Sequence, residues 1–206
     1  MIPYKIFVIE ASVAKKYIRR HHYSKGSHNG PTLSIGLFDE NKLIGCCMFA
    51  TPCSEAVRCS LWGPESKNSV VELHRLHIMD CTPKNTESWF IARCLKMLKK
   101  TKPHICGVLS FADTTIGHTG GIYKATNAYL LGETSPKTFY EDSNGRLRHP
   151  RQNGVNIDLE SAKSKGWSPV QRKTKVRYMW ILANDKRQKK HLIKTCRYDL
   201  TQQKFS

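Results

Sequence analysis

Ser110-Phe111-Ala112-Asp113-Thr114-Thr115-Ile116-Gly117-His118-Thr119-Gly120-Gly121-Ile122-Tyr123-Lys124-Ala125-Thr126-Asn127 is the stretch whose reading decides the fold. The apolar run from Ile105 to Phe111 reads as a buried strand. It stops at an acid, passes through a loop rich in Gly and Thr, and enters a helix near Gly121. The pattern carries that helix to Leu131, with Gly132 as its stop. A strand with an acid at its carboxyl end and a Gly-rich loop into a helix is where α/β proteins hold ligands. Asp113, His118 and Tyr123 set a carboxylate, an imidazole and a phenol within one loop. An ordinary strand-to-helix crossover with Asp113 as a cap would give the same outline.

Upstream, Tyr4 to Ile9 reads as a strand and Ser12 to Arg20 as a short basic helix capped by Ser12, ended by the glycine of His21-His22-Tyr23-Ser24-Lys25-Gly26. Leu33 to Phe38 and Leu43 to Ala50 are strands joined by the turn Asp39-Glu40-Asn41-Lys42. Thr51 to Asn68 reads as a long loop. Val70 to Met79 is the next strand. Strict alternation puts Leu73, Arg75 and His77 on one face and Glu72, His74 and Leu76 on the other. A helix from about Glu87 to Lys100 follows, with Trp89, Phe90, Ala92, Leu95, Met97 and Leu98 on its apolar side. Beyond Lys137 the pattern weakens. Phe139-Tyr140 reads as a short strand, Glu141 to Asn156 as a polar loop, Ser161 to Gly166 as a helical turn and Lys175 to Leu182 as a late strand.

The 206 residues suffice for one domain or a domain with an appendage. Lys and Arg outnumber Asp and Glu by 34 to 16, a formal charge of +18 that predicts an anionic partner, with nucleic acid first among them. The eight cysteines contain no C-x-x-C pair, and several lie in apolar runs, so they read as small hydrophobes in a reducing compartment. No signal peptide opens the sequence and no apolar run reaches membrane-spanning length, which predicts a soluble, intracellular protein without a membrane partner.

The order strand, helix, two strands, loop, strand, helix, strand, helix, strand is that of the GNAT acyltransferase fold. It predicts an α/β domain with a mixed, largely antiparallel central sheet flanked by helices. Residues 1–140 are expected to form a GNAT-like catalytic core, and residues 141–206 a basic C-terminal extension that completes the sheet and contacts DNA. In that order the loop carrying His22 and Tyr23 lies over the cleft between the central strands. With Asp113 and Tyr123 these residues offer an acceptor, an imidazole and two phenols for acid–base work. His22, Tyr23 and Asp113 also form a donor set suited to iron. Asn85, Thr86 and Ser88 open the helix after the Val70 strand. Its N–H groups suit phosphate or carboxylate, Arg75 adds charge, and plain capping by Asn85 or Thr86 is the equal alternative. A GNAT enzyme carries a Q/R-x-x-G-x-G/A loop here for coenzyme A. Asp80 to Thr86 contains no glycine, which argues against ordinary acetyl-CoA binding. Arg172, Lys173, Lys175, Arg177 and the tail from Lys186 to His191, including Lys189 and Lys190, can track a phosphate backbone. Tyr178 and Trp180 among them stack on bases or, more in keeping with their alternation, pack in a core.

Glu72-Leu73-His74-Arg75-Leu76, Pro83-Lys84-Asn85-Thr86-Glu87-Ser88-Trp89-Phe90, Phe111-Ala112-Asp113, Gly117-His118-Thr119-Gly120 and Ile122-Tyr123-Lys124-Ala125-Thr126-Asn127, with His22-Tyr23-Ser24 before them, resemble the Mom family of phage DNA-modification proteins. The resemblance spans about residues 15 to 135. It implies a GNAT-like fold acting on double-stranded DNA in the cytoplasm of the infected bacterial host. The implied reaction converts adenine to N6-carbamoylmethyladenine and shields phage DNA from restriction. His22, Tyr23, Asp113 and Tyr123 then serve the reaction. Arg75 and Ser88, with Asn85 and Thr86, lie on the donor side, and His118, Lys124 and Asn127 face the substrate. Iron is associated with the family. The donor is left open between an acyl-CoA and a glycine-derived group. A conventional GNAT N-acetyltransferase acting on a protein or small molecule is the alternative function, and a non-catalytic DNA-binding protein the third.

Overall fold

The structure, a computed structural model, describes residues 3–23, 26, 30–114, 117, 120–152, 155–172 and 174–200. In chain order the elements are β1 (Lys5–Val8), α1 (Ala11–His21), β2 (Pro31–Asp39), β3 (Lys42–Ala50), α2 (Glu55–Arg58), β4 (Val70–Ile78), α3 (Thr86–Thr101), β5 (Gly107–Asp113), α4 (Gly121–Lys124) and β6 (Tyr129–Glu133). There follow β7 (Lys137–Glu141), β8 (Leu147–Arg148), β9 (Arg151–Gln152), β10 (Val155–Asn156), α5 (Leu159–Ser164), β11 (Ser168–Arg172), β12 (Lys175–Ile181) and α6 (Lys186–Thr195). No helix among the described residues is long and apolar enough to cross a membrane.

The chain divides into two compact units. The first joins Met1–Ser110, Gly120–Leu131 and Tyr178–Ser206; the second joins Phe111–Thr119 and Gly132–Arg177. The two units interleave along the chain.

A seven-stranded sheet takes the order β1-β2-β3-β4-β5-β12-β6. β1 to β4 are antiparallel neighbours, and β4 and β5 are parallel, with α3 as the crossover between them. This is the mixed, largely antiparallel sheet that the order of elements predicted. The hairpin between β2 and β3 turns at Glu40, whose φ of 50° supplies the left-handed residue a tight turn needs. Successive strand residues face opposite ways, and Cys46 and Cys47 show which helix covers which face. Cys46 and Met48 pack against Ala14, Tyr17 and Ile18 of α1, whereas the Cys47 thiol bonds Cys94 of α3. All eight cysteines are free thiols.

Several local expectations change. Ser12 lies inside α1, which begins after Glu10 without a side-chain cap, and the helix ends through His22 in extended conformation rather than at Gly26. The loop from Thr51 to Asn68 contains α2 and a single 3-10 turn, Pro64–Ser66. On α3 the buried stripe runs through Phe90, Ile91, Cys94, Leu95 and Leu98, and Ala92 is exposed. The helix expected from Gly121 to Leu131 stops at Lys124, because Asn127 turns left-handed (φ 58°) and Tyr129–Glu133 then join the sheet as β6. Tyr178 and Trp180 are core residues, 1% and 3% exposed.

In the second unit β11, β7 and β8 form a three-stranded sheet, and β9 pairs with β10; the stretch expected as one polar loop thus holds three short strands. Asp142 knits the turn before β8. It accepts the Asn144 and Arg146 N–H groups at 3.0 and 2.9 Å, and its carboxylate pairs with Arg148 at 2.7 Å.

The buried acids of the first unit set an alkaline limit. Burial holds the Tyr17, Tyr123 and Tyr178 phenols and the Cys46 and Cys94 thiols above their ordinary values. A group raised in the folded state gives its full contribution below the unfolded value, and loses it as pH climbs toward the folded one. Stability should therefore fall from about pH 9 upward. Melting temperatures recorded between pH 8 and pH 11 check this, and Tyr17→Phe should flatten the slope.

Candidate active site

The site begins with an irregularity in β4. Met48 pairs with Arg75, and Phe49 pairs with Leu73, so His74 is one extra residue on β4. Met48 and Phe49 face opposite sides of the sheet, hence so do Arg75 and Leu73. The strict alternation expected from the sequence fails here, and Arg75 shares its face with His77 and Glu72. The parallel pairing of β4 with β5 covers Val70–Glu72 against Gly107–Leu109 and ends at this same point. Ser110 is the next residue of β5, and its hydroxyl reaches back to the Leu73 carbonyl at 3.4 Å.

Tyr123 stands at the parting. Its phenol oxygen accepts a hydrogen bond from the Ser110 hydroxyl, which also lies 3.4 Å from the Leu73 carbonyl. The Tyr123 ring packs between Tyr178 at 5.1 Å and Trp180 at 5.5 Å, and Trp180 Nε1 is itself fixed by Thr126 Oγ1 at 3.0 Å. Burial pushes the phenol above its ordinary value; the Ser110 bond opposes this in part, and Tyr23, Cys47 and Tyr178 add to the rise. Tyr123 is therefore a neutral hydrogen-bond donor throughout the physiological range.

Tyr23 has the opposite character. It is 56% exposed, and its ring lies against the buried His22 ring at 4.2 Å. A negative charge on its phenol raises the pKa of both Tyr123 and Arg75. Arg75 donates from Nε to the Gly26 carbonyl at 2.8 Å and from Nη1 to the His74 carbonyl at 2.6 Å. Burial draws its pKa down, opposed by Tyr23, Glu72 and Cys53. One of its nitrogens thus holds the backbone beyond Tyr23 and another the β4 backbone itself, tasks the sequence did not suggest.

At the start of α3 the capping alternative fails. Asn85 is left-handed (φ 67°) and no side chain caps the helix. The Thr86 hydroxyl donates to the Pro83 carbonyl at 2.6 Å, and the Ser88 hydroxyl to the Asn85 carbonyl at 3.0 Å. The first-turn N–H groups keep the geometry that binds anions. Lys124 and Asn127 are exposed, and the left-handed backbone of Asn127 explains that residue as a turn former. Lys189 and Lys190 lie exposed on α6, a helix the sequence reading left as a basic tail. Asp185 caps it by accepting the Gln188 N–H at 2.7 Å, while the Gln188 side chain takes the Asn184 N–H at 2.6 Å. Trp62 Nε1 anchors it by donating to the Leu192 carbonyl at 2.8 Å.

Asp113 belongs to the second unit. Its Oδ2 lies 2.7 Å from Arg172 Nη2 and 3.7 Å from Lys175 Nζ, and the carboxylate is buried. Arg172, expected to track phosphate, is spent on this acid. His118 and Lys173 lie outside the described residues. Among the described residues no group of three or more His, Cys, Asp or Glu side chains is placed to hold a metal ion. His22 and Tyr23 bring two donors, which do not by themselves make an iron site. Ser110 was missed from sequence, although a lone hydroxyl in the run Val108-Leu109-Ser110-Phe111-Ala112 was its signal.

A sheet of this order, with its parallel central pair parting after Leu109, is the GNAT architecture. YncA of Salmonella typhimurium, solved with acetyl-CoA, shares the fold at a TM-score of 0.52 and 8% identity, over 89% of this chain and 96% of that one. The ribosomal-protein-S18-alanine N-acetyltransferase of Escherichia coli matches at 0.50 and 10% identity, over 89% and 97%. Within that architecture the sequence is more specific. The Mom protein family matches residues 3–201, and the chain belongs to that family. The methylcarbamoylase mom of Escherichia phage Mu is 28% identical over 137 residues, 66% of this chain. The match spans 56% of that relative's length.

Proposed function

We propose that this protein is a phage DNA-modification transferase that converts adenine in double-stranded DNA to N6-carbamoylmethyladenine and so shields phage DNA from host restriction, acting in the cytoplasm of the infected bacterium. The observation that carries the reading is the family match along nearly the whole chain, with a phage relative named as a methylcarbamoylase. The charge of +18 and the exposed lysines of α6 fit a polyanionic substrate.

The chemistry assigns work to the residues present. The adenine N6 lone pair is delocalised into the ring, so the amino group needs an acceptor to become nucleophilic. In a duplex it must also leave the stack to be reached. As the bond from N6 to the methylene carbon forms, N6 gives up one proton and the donor's leaving group departs with the bonding pair. A glycine-derived group serves as donor when its leaving group sits on the methylene; an acyl-CoA serves only on the same condition, not through its thioester carbonyl. Simple acyl transfer would set a carbonyl on N6, so the product requires a donor activated at its methylene. The neutral Tyr123 phenol donates a hydrogen bond to the donor's polar group, and the exposed Tyr23, acting as its phenolate, takes up the proton. His22 supports Tyr23 by ring contact, and Arg75 holds the turn that presents it. The uncapped start of α3, with Ser88, receives the anionic part of the donor. Within the second unit, the Asp113 carboxylate is the acceptor suited to an N6–H.

Nucleoside mass spectrometry on plasmid DNA from expressing cells tests the proposal, beside an Asp113→Asn control whose folding is verified by circular dichroism. A deoxyadenosine heavier by one carbamoylmethyl group, absent from the control, is the expected result. Unmodified DNA from cells containing folded wild-type protein and the phage's other proteins would sink it.

A further inference from the structure

Helix α6 carries its charge in a way that works against its own stability. Its sequence, Lys186-Arg187-Gln188-Lys189-Lys190-His191-Leu192-Ile193-Lys194-Thr195, contains no acid. Lys186 and Arg187 occupy the first turn, where the helix dipole is already positive. Lys186, Lys190 and Lys194 follow one another at i, i+4 and i+8, and Arg187 stands three residues before Lys190, so like charges meet along the surface. Gln188, Leu192 and Ile193 are half-buried and turn inward, while Arg187, Lys190, His191 and Lys194 form an exposed stripe on the opposite side. The helix is held against this repulsion by the Asp185 cap, by the Trp62 bond to the Leu192 carbonyl, and by the Arg197 N–H, which donates to the Leu61 carbonyl at 2.9 Å. A surface that gives up stability to unopposed cations is suited to an anionic partner.

The place of α6 in the first unit sets this stripe apart from the reaction cluster. The Leu182 N–H, just after β12, donates to the Cys106 carbonyl at 2.8 Å. The Trp62 ring that anchors α6 lies so close to Gly107, the first residue of β5, that a Cβ there would meet it at 2.7 Å. Helix α6 therefore stands where β5 begins. Ser110, with Tyr123 bonded to it, is three residues further along the strand, about 10 Å away.

We infer that the stripe of Arg187, Lys190, His191 and Lys194 is a separate contact with duplex DNA, one that grips the sugar-phosphate backbone beside the target and reads no sequence. The inference rests on the DNA-modification reading above. From Arg187 to Lys194 the helix axis rises about 10 Å, a length over which B-DNA presents about three phosphates on each strand. Helix α6 has no Phe, Tyr or Trp on which an unpaired base could stack, which favours the backbone of a duplex over a single strand. Contacts of this kind position the enzyme on the polymer and leave the choice of base to the reaction cluster.

The test measures the affinity of the full chain for two labelled duplexes of unrelated sequence, by fluorescence anisotropy over a range of salt. The triple variant Arg187→Gln/Lys190→Gln/Lys194→Gln should flatten the plot of log affinity against log salt by about 2–3, to the same extent for both duplexes. Its melting temperature should stay level or rise, because like charges have been removed. A control, Lys5→Gln/Lys16→Gln/Lys42→Gln, takes the same charge from exposed positions on β1, α1 and β3 and should flatten the plot by less than about 1. An α6 variant with the wild-type slope overturns the inference and leaves the DNA reading standing. A control that flattens the plot as much as the α6 variant does the same, since net charge alone then accounts for binding. A loss confined to one duplex overturns the backbone assignment, and a clear fall in melting temperature makes the stripe structural and overturns it too. A wild type that binds an RNA hairpin or an acidic peptide but no duplex DNA removes both readings.

Discussion

Tyr123→Phe is expected to lower the yield of modified deoxyadenosine by about 100-fold or more while the protein stays folded. The phenyl ring keeps its contacts with Tyr178 and Trp180, so the packing at 5.1 and 5.5 Å survives. What disappears is the phenol oxygen that accepts from Ser110, a single hydrogen bond that contributes about 1 kcal/mol to stability. In a chain of this size the melting temperature should fall by only about 2–4 °C. Ser110 retains its own bond to Leu73, so β4 and β5 part as before. A large loss of product beside a small change in melting temperature would mark Tyr123 as a reacting group. Wild-type product yield would return it to the core as an ordinary buried tyrosine.

Gly120→Ala should produce the reverse pattern, a collapse of stability that drags activity with it. Gly120 sits before α4 with φ at 77°, a left-handed conformation that costs a residue with a Cβ about 1 kcal/mol. The added Cβ would also fall onto the Tyr178 ring, which has no room to give because it is 1% exposed and packed on Tyr123. Overpacking of this kind costs a further 1–3 kcal/mol, roughly. Together these predict a melting temperature lower by about 6–12 °C, read by differential scanning calorimetry. A variant within about 2 °C of wild type would show that Tyr178 can move aside and that the aromatic wall behind Tyr123 is looser than the geometry states.

These two residues come from the stretch that organised the sequence reading, and they show what a sequence can and cannot display. The strand ending at Asp113 was legible because an apolar run meeting an acid and a Gly-rich loop has few other meanings. The hairpin at Glu40, the alternation that buries Tyr178 and Trp180, and the amphipathic α3 were legible for similar local reasons. The short α4 was not: Tyr129-Leu130-Leu131 suits a helix as well as a strand, and only pairing within the sheet decides for β6. His74 is another such case. An extra residue in β4 reveals itself through its partners on β3, and it rearranged the faces on which Arg75 and Leu73 were expected. Helix α6 did have a signal, the reciprocal capping of Asp185 and Gln188, which the run of basic residues obscured. Arg172 illustrates the remaining limit. Its charge was plain in the sequence, but its engagement with Asp113, 59 residues away, follows from tertiary structure alone.

The position of β12 bears on how the protein is made. This strand lies between β5 and β6 in the sheet, although the chain completes both of those strands long before it reaches Lys175. During synthesis β5 must therefore wait with one row of backbone N–H and C=O groups unclaimed, and β6 with no strand beside it in the sheet, until the ribosome has delivered nearly the whole polypeptide. Pairings that close so late fold slowly and leave exposed edges that invite association between nascent chains. A product truncated anywhere before Lys175 would hold that state permanently, and it belongs in the aggregated fraction rather than among smaller working versions of the protein.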